Sequence, residues 1–120
     1  LLSEDKKYLC NSEELMYRKY CPAKTYFAGN TTIGCIVTNA KLDKTQMMKI
    51  ASMAHDGMAR TIRPVHTWAD GDSVFAMATG EVTADANAVG TLAARVMGYA
   101  INRGVQKASG EYGLICASQL

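Results

Sequence analysis

From residue 31 the chain settles into a regular alternation of apolar and polar runs. The stretch "TTIGCIVT" (31–38) is rich in Ile, Val and Thr and has no polar alternation, which predicts a strand buried on both faces. In "LDKTQMMKIASMAHDGMARTIRP" the apolar positions Met47, Ile50, Ala51, Ala54, Met58 and Ile62 recur at helical spacing. Asp43 stands where an N-cap belongs, and Pro64 ends the helix. The loop "VHTWADGD" (65–72) leads to a second apolar strand, "SVFAMATG" (73–80). A long helix follows from about Asp85 to Gln106, with Val89, Leu92, Ala93, Val96, Ala100 and Ile101 as its buried stripe. Gly90, Ala94 and Gly98 lie four residues apart and leave a second face nearly bare, open to the close approach of a neighbouring helix.

The ends are less regular. "SEELMYRKY" (12–20) reads as a short helix capped by Ser12, inside a charged, tyrosine-rich leader, and Leu114 to Ala117 reads as an added strand. The order strand, helix, strand, helix is that of an α/β fold. Two strands cannot by themselves form a sheet covered on both faces. The pattern therefore calls for more strands and a second helical layer, from another chain or from another part of this one.

Composition narrows the function classes. The 120 residues are 48% hydrophobic and 20% charged, enough for one small domain. Thirteen basic and eleven acidic residues are interspersed, so neither nucleic acid nor a membrane is expected as a partner. No apolar run is long enough for a membrane span or a signal peptide, which reads as cytoplasmic. The sequence opens on Leu1 rather than Met and reads as a piece of a longer chain. Cys10, Cys21, Cys35 and Cys116 have no metal-ligand spacing and are expected to be free thiols.

Two features carry candidate chemistry. A threonine hydroxyl is a poor nucleophile unless a base lies beside it, and the α-amino group of the same residue serves when that threonine begins a chain. "GNTT" (29–32) fits such an arrangement if the chain is cut between Asn30 and Thr31, with Gly29 permitting the turn that attack on the preceding carbonyl needs. The plainer alternative is a strand entered through a turn. Asp70 and Asp72 flank Gly71 at the entrance of the second strand. In extended backbone their carboxylates share a side, where they could orient an amine and a hydroxyl. The plainer alternative there is an acidic turn.

Taken in order, Asn-Thr before a strand, "MAHDGMAR" on the next helix, "IRPVHT", and "DGD" leading into "VFAMATG" resemble the L-aminopeptidase/D-esterase family, which includes the β-peptidyl aminopeptidases and the nylon-oligomer hydrolases. The likeness runs from about Gly29 to Ala108. The resemblance implies a precursor that cleaves itself into a large α part and a small β part. It also implies a four-layer αββα sandwich resembling the N-terminal nucleophile hydrolases, and oligomers of αβ units. Carried over by position, Thr31 is the nucleophile, Asn30 the residue before the cut, and Asp70 and Asp72 the supporting acids. Residues 1–30 become the end of the α part and residues 31–120 the β part. The partners implied are the rest of the α part, which supplies oxyanion-hole groups, and a small amide, peptide or ester substrate. No cofactor and no metal is implied.

The remaining residues fit plainer roles. The mechanism needs no histidine, so His55 is expected to pack and His66 to hydrogen-bond within its loop. Arg60 and Arg63 suit the helix dipole or a partner's carboxylate. Trp68 walls the site or a subunit contact, and the seven methionines fill core. Competing functions are a non-catalytic relative acting through assembly, and a metal site built from His55, His66 and Asp70.

Overall fold

The computed structural model describes residue 3, residues 8–18 and residues 30–119. Gly29, Cys21 and Leu120 lie outside the described residues. The elements are helix α1 (Ser12–Arg18), strand β1 (Ile33–Ala40), helix α2 (Lys44–Thr61), strand β2 (Ser73–Val82), helix α3 (Ala86–Lys107) and a short 3-10 turn at Ala117–Gln119.

The two long helices begin where the sequence says they should. Asp43 accepts from the Gln46 N–H at 2.8 Å while the Gln46 side chain accepts from the Asp43 N–H at 2.9 Å, a reciprocal capping box. Asp85 likewise accepts from the Ala88 N–H at 2.9 Å. α2 ends at Thr61, whose hydroxyl turns back onto the Gly57 carbonyl, and the chain leaves through a cis Arg63–Pro64 bond. In α1 the cap is Asn11 rather than Ser12, because the Asn11 side chain accepts from the Glu13 and Glu14 N–H groups.

β1 and β2 pair in parallel, from Ile33 opposite Ser73 to Thr38 opposite Ala78, and a further bridge joins Asn30 to Asp70. Past Thr38 the register slips so that Ala40 faces Val82, with Gly80 at φ 80° taking up the extra length. The helices cover one face of this pair. Ile36, Met47, Ile50, Ala54, Met58, Ala93 and Met97 form the core, and Val74, Ala76 and Ala78 lean against it.

The other sheet face is open, contrary to the expectation of strands buried on both sides. Ile33, Val37, Phe75 and Met77 are each more than half exposed. The physical reason is simple: successive side chains point to opposite faces, and among the described residues α2 and α3 lie on only one of them. The unbroken apolar run thus records two apolar faces of which one is covered here.

The small-residue face of α3 is its contact with α2. A Cβ at Gly57 would fall on the Ala94 carbonyl, and one at Gly90 on the Met53 side chain. Packing at this distance turns α3 so that Gly90, Ala93, Ala94 and Met97 are buried, while Leu92, Val96 and Ala100 of the expected stripe stay exposed. Leu114 to Ala117 is not a strand. Tyr112 and Gly113, both at positive φ, turn the chain there, and the Gln119 side chain accepts from the Cys116 N–H.

Candidate active site

β1 proper starts at Ile33, two residues later than expected, yet the preceding peptides are held as firmly as strand. The Asn30 N–H donates to the Ala69 carbonyl at 3.1 Å, and the Asn30 carbonyl accepts from the Gly71 N–H at 2.9 Å. The Thr32 N–H then donates to Asp72 Oδ1 at 2.8 Å, and the Thr32 carbonyl accepts from the Ser73 N–H at 3.0 Å. The Asn30–Thr31 peptide is therefore anchored on both sides by the segment 69–73.

Thr31 is exposed, and its side chain lies over Gly71. A Cβ on Gly71 would come within 2.9 Å of Thr31 Oγ1, so the glycine makes room for that hydroxyl. Neither Asp70 nor Asp72 hydrogen-bonds Thr31 Oγ1 among the described residues. The structure brings Asp70 and Asp72 to one cleft of about 400 Å³, shared with Asn30, Thr32, Arg63 and Thr67. Their carboxylates do different things. Asp70 Oδ2 accepts from the Thr67 N–H at 2.7 Å and closes its own loop, while Asp72, whose side chain is 5% exposed, reaches the strand.

Asp72 also meets a histidine. Its Oδ2 lies 2.7 Å from His66 Nδ1 and 3.3 Å from the His66 backbone nitrogen. Burial pushes the Asp72 carboxyl up. The Thr32 N–H, the His66 ring and the His66 N–H more than offset that, so its pKa falls below the ordinary 3.8. His66 bonds within its loop, as expected, but the partner is one of the two candidate acids. His55 is half-buried and places Nδ1 3.3 Å from His66 Nε2, with the rings edge to face at 4.8 Å. Spacing alone could not reveal this contact, since it depends on how the loop 62–72 folds back on α2. The Gly71 N–H was likewise missed; the glycine at the centre of "DGD" was its signal.

Other candidates fall away from the cleft. Trp68 is fully exposed and does not line it. Among the described residues Cys10, Cys35 and Cys116 are free, and no three His, Cys, Asp or Glu side chains are grouped to hold a metal ion. Asp70 in particular turns to Thr67 rather than toward the histidine pair. A larger groove of about 680 Å³ runs along α2 and α3 past Arg60, Arg95 and Tyr99, and none of the predicted site residues lines it. Among the described residues no helix is long and apolar enough to cross a membrane.

Comparison with known proteins agrees with the resemblance and extends it. Residues 3–113 match the model of peptidase family S58, so the match takes in the leader, beyond the likeness that runs from about Gly29 to Ala108. An uncharacterised aminopeptidase of Mycobacterium leprae is 56% identical over 59 residues, 49% of this chain and 16% of that protein. One of Mycobacterium tuberculosis is 60% identical over 53 residues, 44% of this chain and 15% of that protein. A 6-aminohexanoate-oligomer endohydrolase of Paenarthrobacter ureafaciens is 37% identical over 83 residues, 58% of this chain and 23% of that protein. In each case the match spans less than a quarter of the relative's length.

Proposed function

Because the chain belongs to peptidase family S58, we propose that it is the nucleophile-bearing part of an amide hydrolase that frees Thr31 by cutting its own chain after Asn30. The observation that carries this reading is the anchored Asn30–Thr31 peptide, with its carbonyl oxygen on the Gly71 N–H and the Thr31 hydroxyl beside Gly71. A carbonyl held by an N–H donor is polarised toward attack, and such a donor stabilises the oxyanion that attack creates.

In the first step Thr31 Oγ1 adds to the Asn30 carbonyl carbon and its proton passes to the departing Thr31 nitrogen. The C–N bond breaks, leaving an ester between Asn30 and Thr31 and a free α-amine. Water then hydrolyses the ester and releases Asn30 as a carboxylate. In turnover the α-amine takes the hydroxyl proton as Thr31 attacks a substrate carbonyl, and gives it to the leaving amine or alcohol. The acyl-Thr31 formed is hydrolysed by water. Asp72, which holds the Thr32 N–H on the retained side of the cut, fixes the new N-terminus, and Asp70 holds the loop that carries it.

The names of the relatives, aminopeptidase and 6-aminohexanoate-oligomer endohydrolase, favour an amide as the bond broken. The open apolar sheet face of Ile33, Val37, Phe75 and Met77 supports a second sheet from the rest of the same precursor, completing the αββα sandwich and its oxyanion site. The protein made from its complete gene is expected to separate into two chains, the smaller beginning at Thr31. Intact mass and N-terminal sequencing check this, and Thr31→Ala is expected to abolish both cleavage and hydrolysis of aminoacyl amides. A wild-type protein that stays joined at Asn30–Thr31 and turns over no amide refutes it.

A further inference from the structure

We propose that His66, backed by His55, is a positioning residue for the site, holding the Asp72 carboxylate against the Thr32 N–H so that the segment at Thr31 is fixed for reaction. The inference rests on the function proposed above and adds two residues to it. An ionised carboxylate only accepts, so His66 Nδ1, 2.7 Å from Asp72 Oδ2, must carry a proton. In neutral His66 the other nitrogen, Nε2, is then an acceptor, and the His55 Nδ1 at 3.3 Å is placed to donate to it. The bonds run from His55 on α2 through His66 to Asp72, which also accepts from the Thr32 N–H. The carboxylate thus fixes the tautomer of His66, and His66 that of His55.

The backbone carries a matching sign. His66 sits at φ 55°, in the left-handed region where non-glycine residues are uncommon and strained, and its own N–H points at the same Asp72 oxygen at 3.3 Å. A residue kept in that conformation with both its ring and its N–H on one carboxylate is held there by that carboxylate. The groups that face Asp72 are the Thr32 N–H, just before β1, and the ring and N–H of His66. Arg63 and Asp70 share the cleft, α2 reaches Asp72 through His55 and His66, and α1 contributes only the uncharged Ser12 and Met16 to the lining.

The test uses the protein made from its complete gene, with His66→Gly, His66→Asn and His55→Phe. Glycine fits the backbone without the ring, and asparagine fits it and restores a donor. His66→Gly is expected to slow self-cleavage and amide turnover by about ten- to a hundredfold, the usual worth of a charge-assisted hydrogen bond. The loss falls on kcat rather than KM, and the acid limb of the rate moves to higher pH because Asp72 loses a partner that favours its charged form. His66→Asn restores most of the rate, and His55→Phe costs a few-fold by the same route.

A second readout needs no catalysis. In a Thr31→Ala background the Thr32 amide proton reports the titration of Asp72 by NMR, and His66→Gly is expected to raise its midpoint. His66→Gly and His55→Phe at wild-type rate with an unmoved acid limb overturn the inference, as does an unmoved midpoint. If the wild-type protein never cleaves, the parent reading has failed, and the midpoint alone decides whether His66 positions Asp72.

Discussion

Gly71→Ala isolates the geometry on which the proposed reaction depends. The glycine's φ lies outside the left-handed region, so alanine meets no backbone penalty there, and what changes is one methyl. That methyl would stand 2.9 Å from Thr31 Oγ1 and 3.8 Å from its Cγ2, so the hydroxyl must retreat about half an ångström to reach ordinary contact. If instead the backbone shifts, the 2.9 Å bond from the Gly71 N–H to the Asn30 carbonyl stretches past the useful range. Overpacking of this kind costs about 1–3 kcal/mol, and one hydrogen bond about 0.5–1.5 kcal/mol. Either loss falls on the reacting atoms, so self-cleavage is expected to slow by about ten- to a hundredfold, since each 1.36 kcal/mol is tenfold in rate. The assay follows the two products by intact mass from a pulse of synthesis, beside a thermal melt to measure folding separately. Adding Thr31→Ser should recover part of the rate, because serine lacks the methyl and turns more freely. Cleavage of Gly71→Ala at the wild-type rate would refute the argument that the Thr31 hydroxyl reacts from its place over Gly71.

Three further outcomes follow from the same structure. Asp72→Asn leaves one oxygen for the Thr32 N–H, the His66 ring and the His66 N–H, so at least one donor loses its partner; urea unfolding should show a loss of about 1–3 kcal/mol, and a loss below about 0.5 kcal/mol would show that these bonds do not hold the strand entrance. Folding depresses the Asp72 pKa, so the native state binds that proton more weakly than the unfolded chain. Its stabilisation is complete above 3.8 and is lost as pH falls through the lower folded value, and acid titration of stability against Asp72→Asn should show the difference confined to that window. Gly57→Ala drives a methyl onto the Ala94 carbonyl and to 2.8 Å from Met97 Cβ. A melt should place its cost near or above the usual overpacking limit of about 3 kcal/mol, whereas Gly104→Ala, with open space around it, should be neutral or stabilising.

What was legible in the sequence was whatever is decided locally. The N-cap Asp43, the start of α3 about Asp85, the end of α2 before Pro64 and the close-packing face of Gly90, Ala94 and Gly98 all depend on neighbours within a few residues, and all were readable. The exposed Leu92 and Val96 were not, because helical periodicity gives a stripe but not which of two apolar faces meets a neighbour. The strands misled for a related reason. Apolarity on both faces was read correctly from the residues, but coverage depends on what else packs there. At the candidate site, spacing picked out Asp70 and Asp72 as a pair, yet it could not tell that one closes a loop while the other holds the Thr32 N–H at the entrance of β1. The histidines were given a packing and a local role, and their meeting with Asp72 was not readable, since His55, His66 and Asp72 come together only when the loop after α2 folds back.

The bonds around Thr31 divide according to which side of the proposed cut they hold. The Ala69 carbonyl and the Gly71 N–H both grip Asn30, the residue that departs. The Asp72 carboxylate and the Ser73 N–H grip Thr32, the residue that stays. On the proposed reading, cutting the chain therefore leaves the retained end anchored while it exposes one donor and one acceptor beside the nucleophile. Those two groups are spaced to pair with an extended backbone, because they have just released one. An incoming peptide or oligoamide would lay its acyl carbonyl on the Gly71 N–H in the place the Asn30 oxygen vacated. On that reading the leader is the first substrate, and the same N–H would serve the single internal cut and every later turnover. The same reading accounts for glycine between the two aspartates: the Asn30 carbonyl bonds its N–H and the Thr31 hydroxyl lies against it, so a side chain there would crowd the pair.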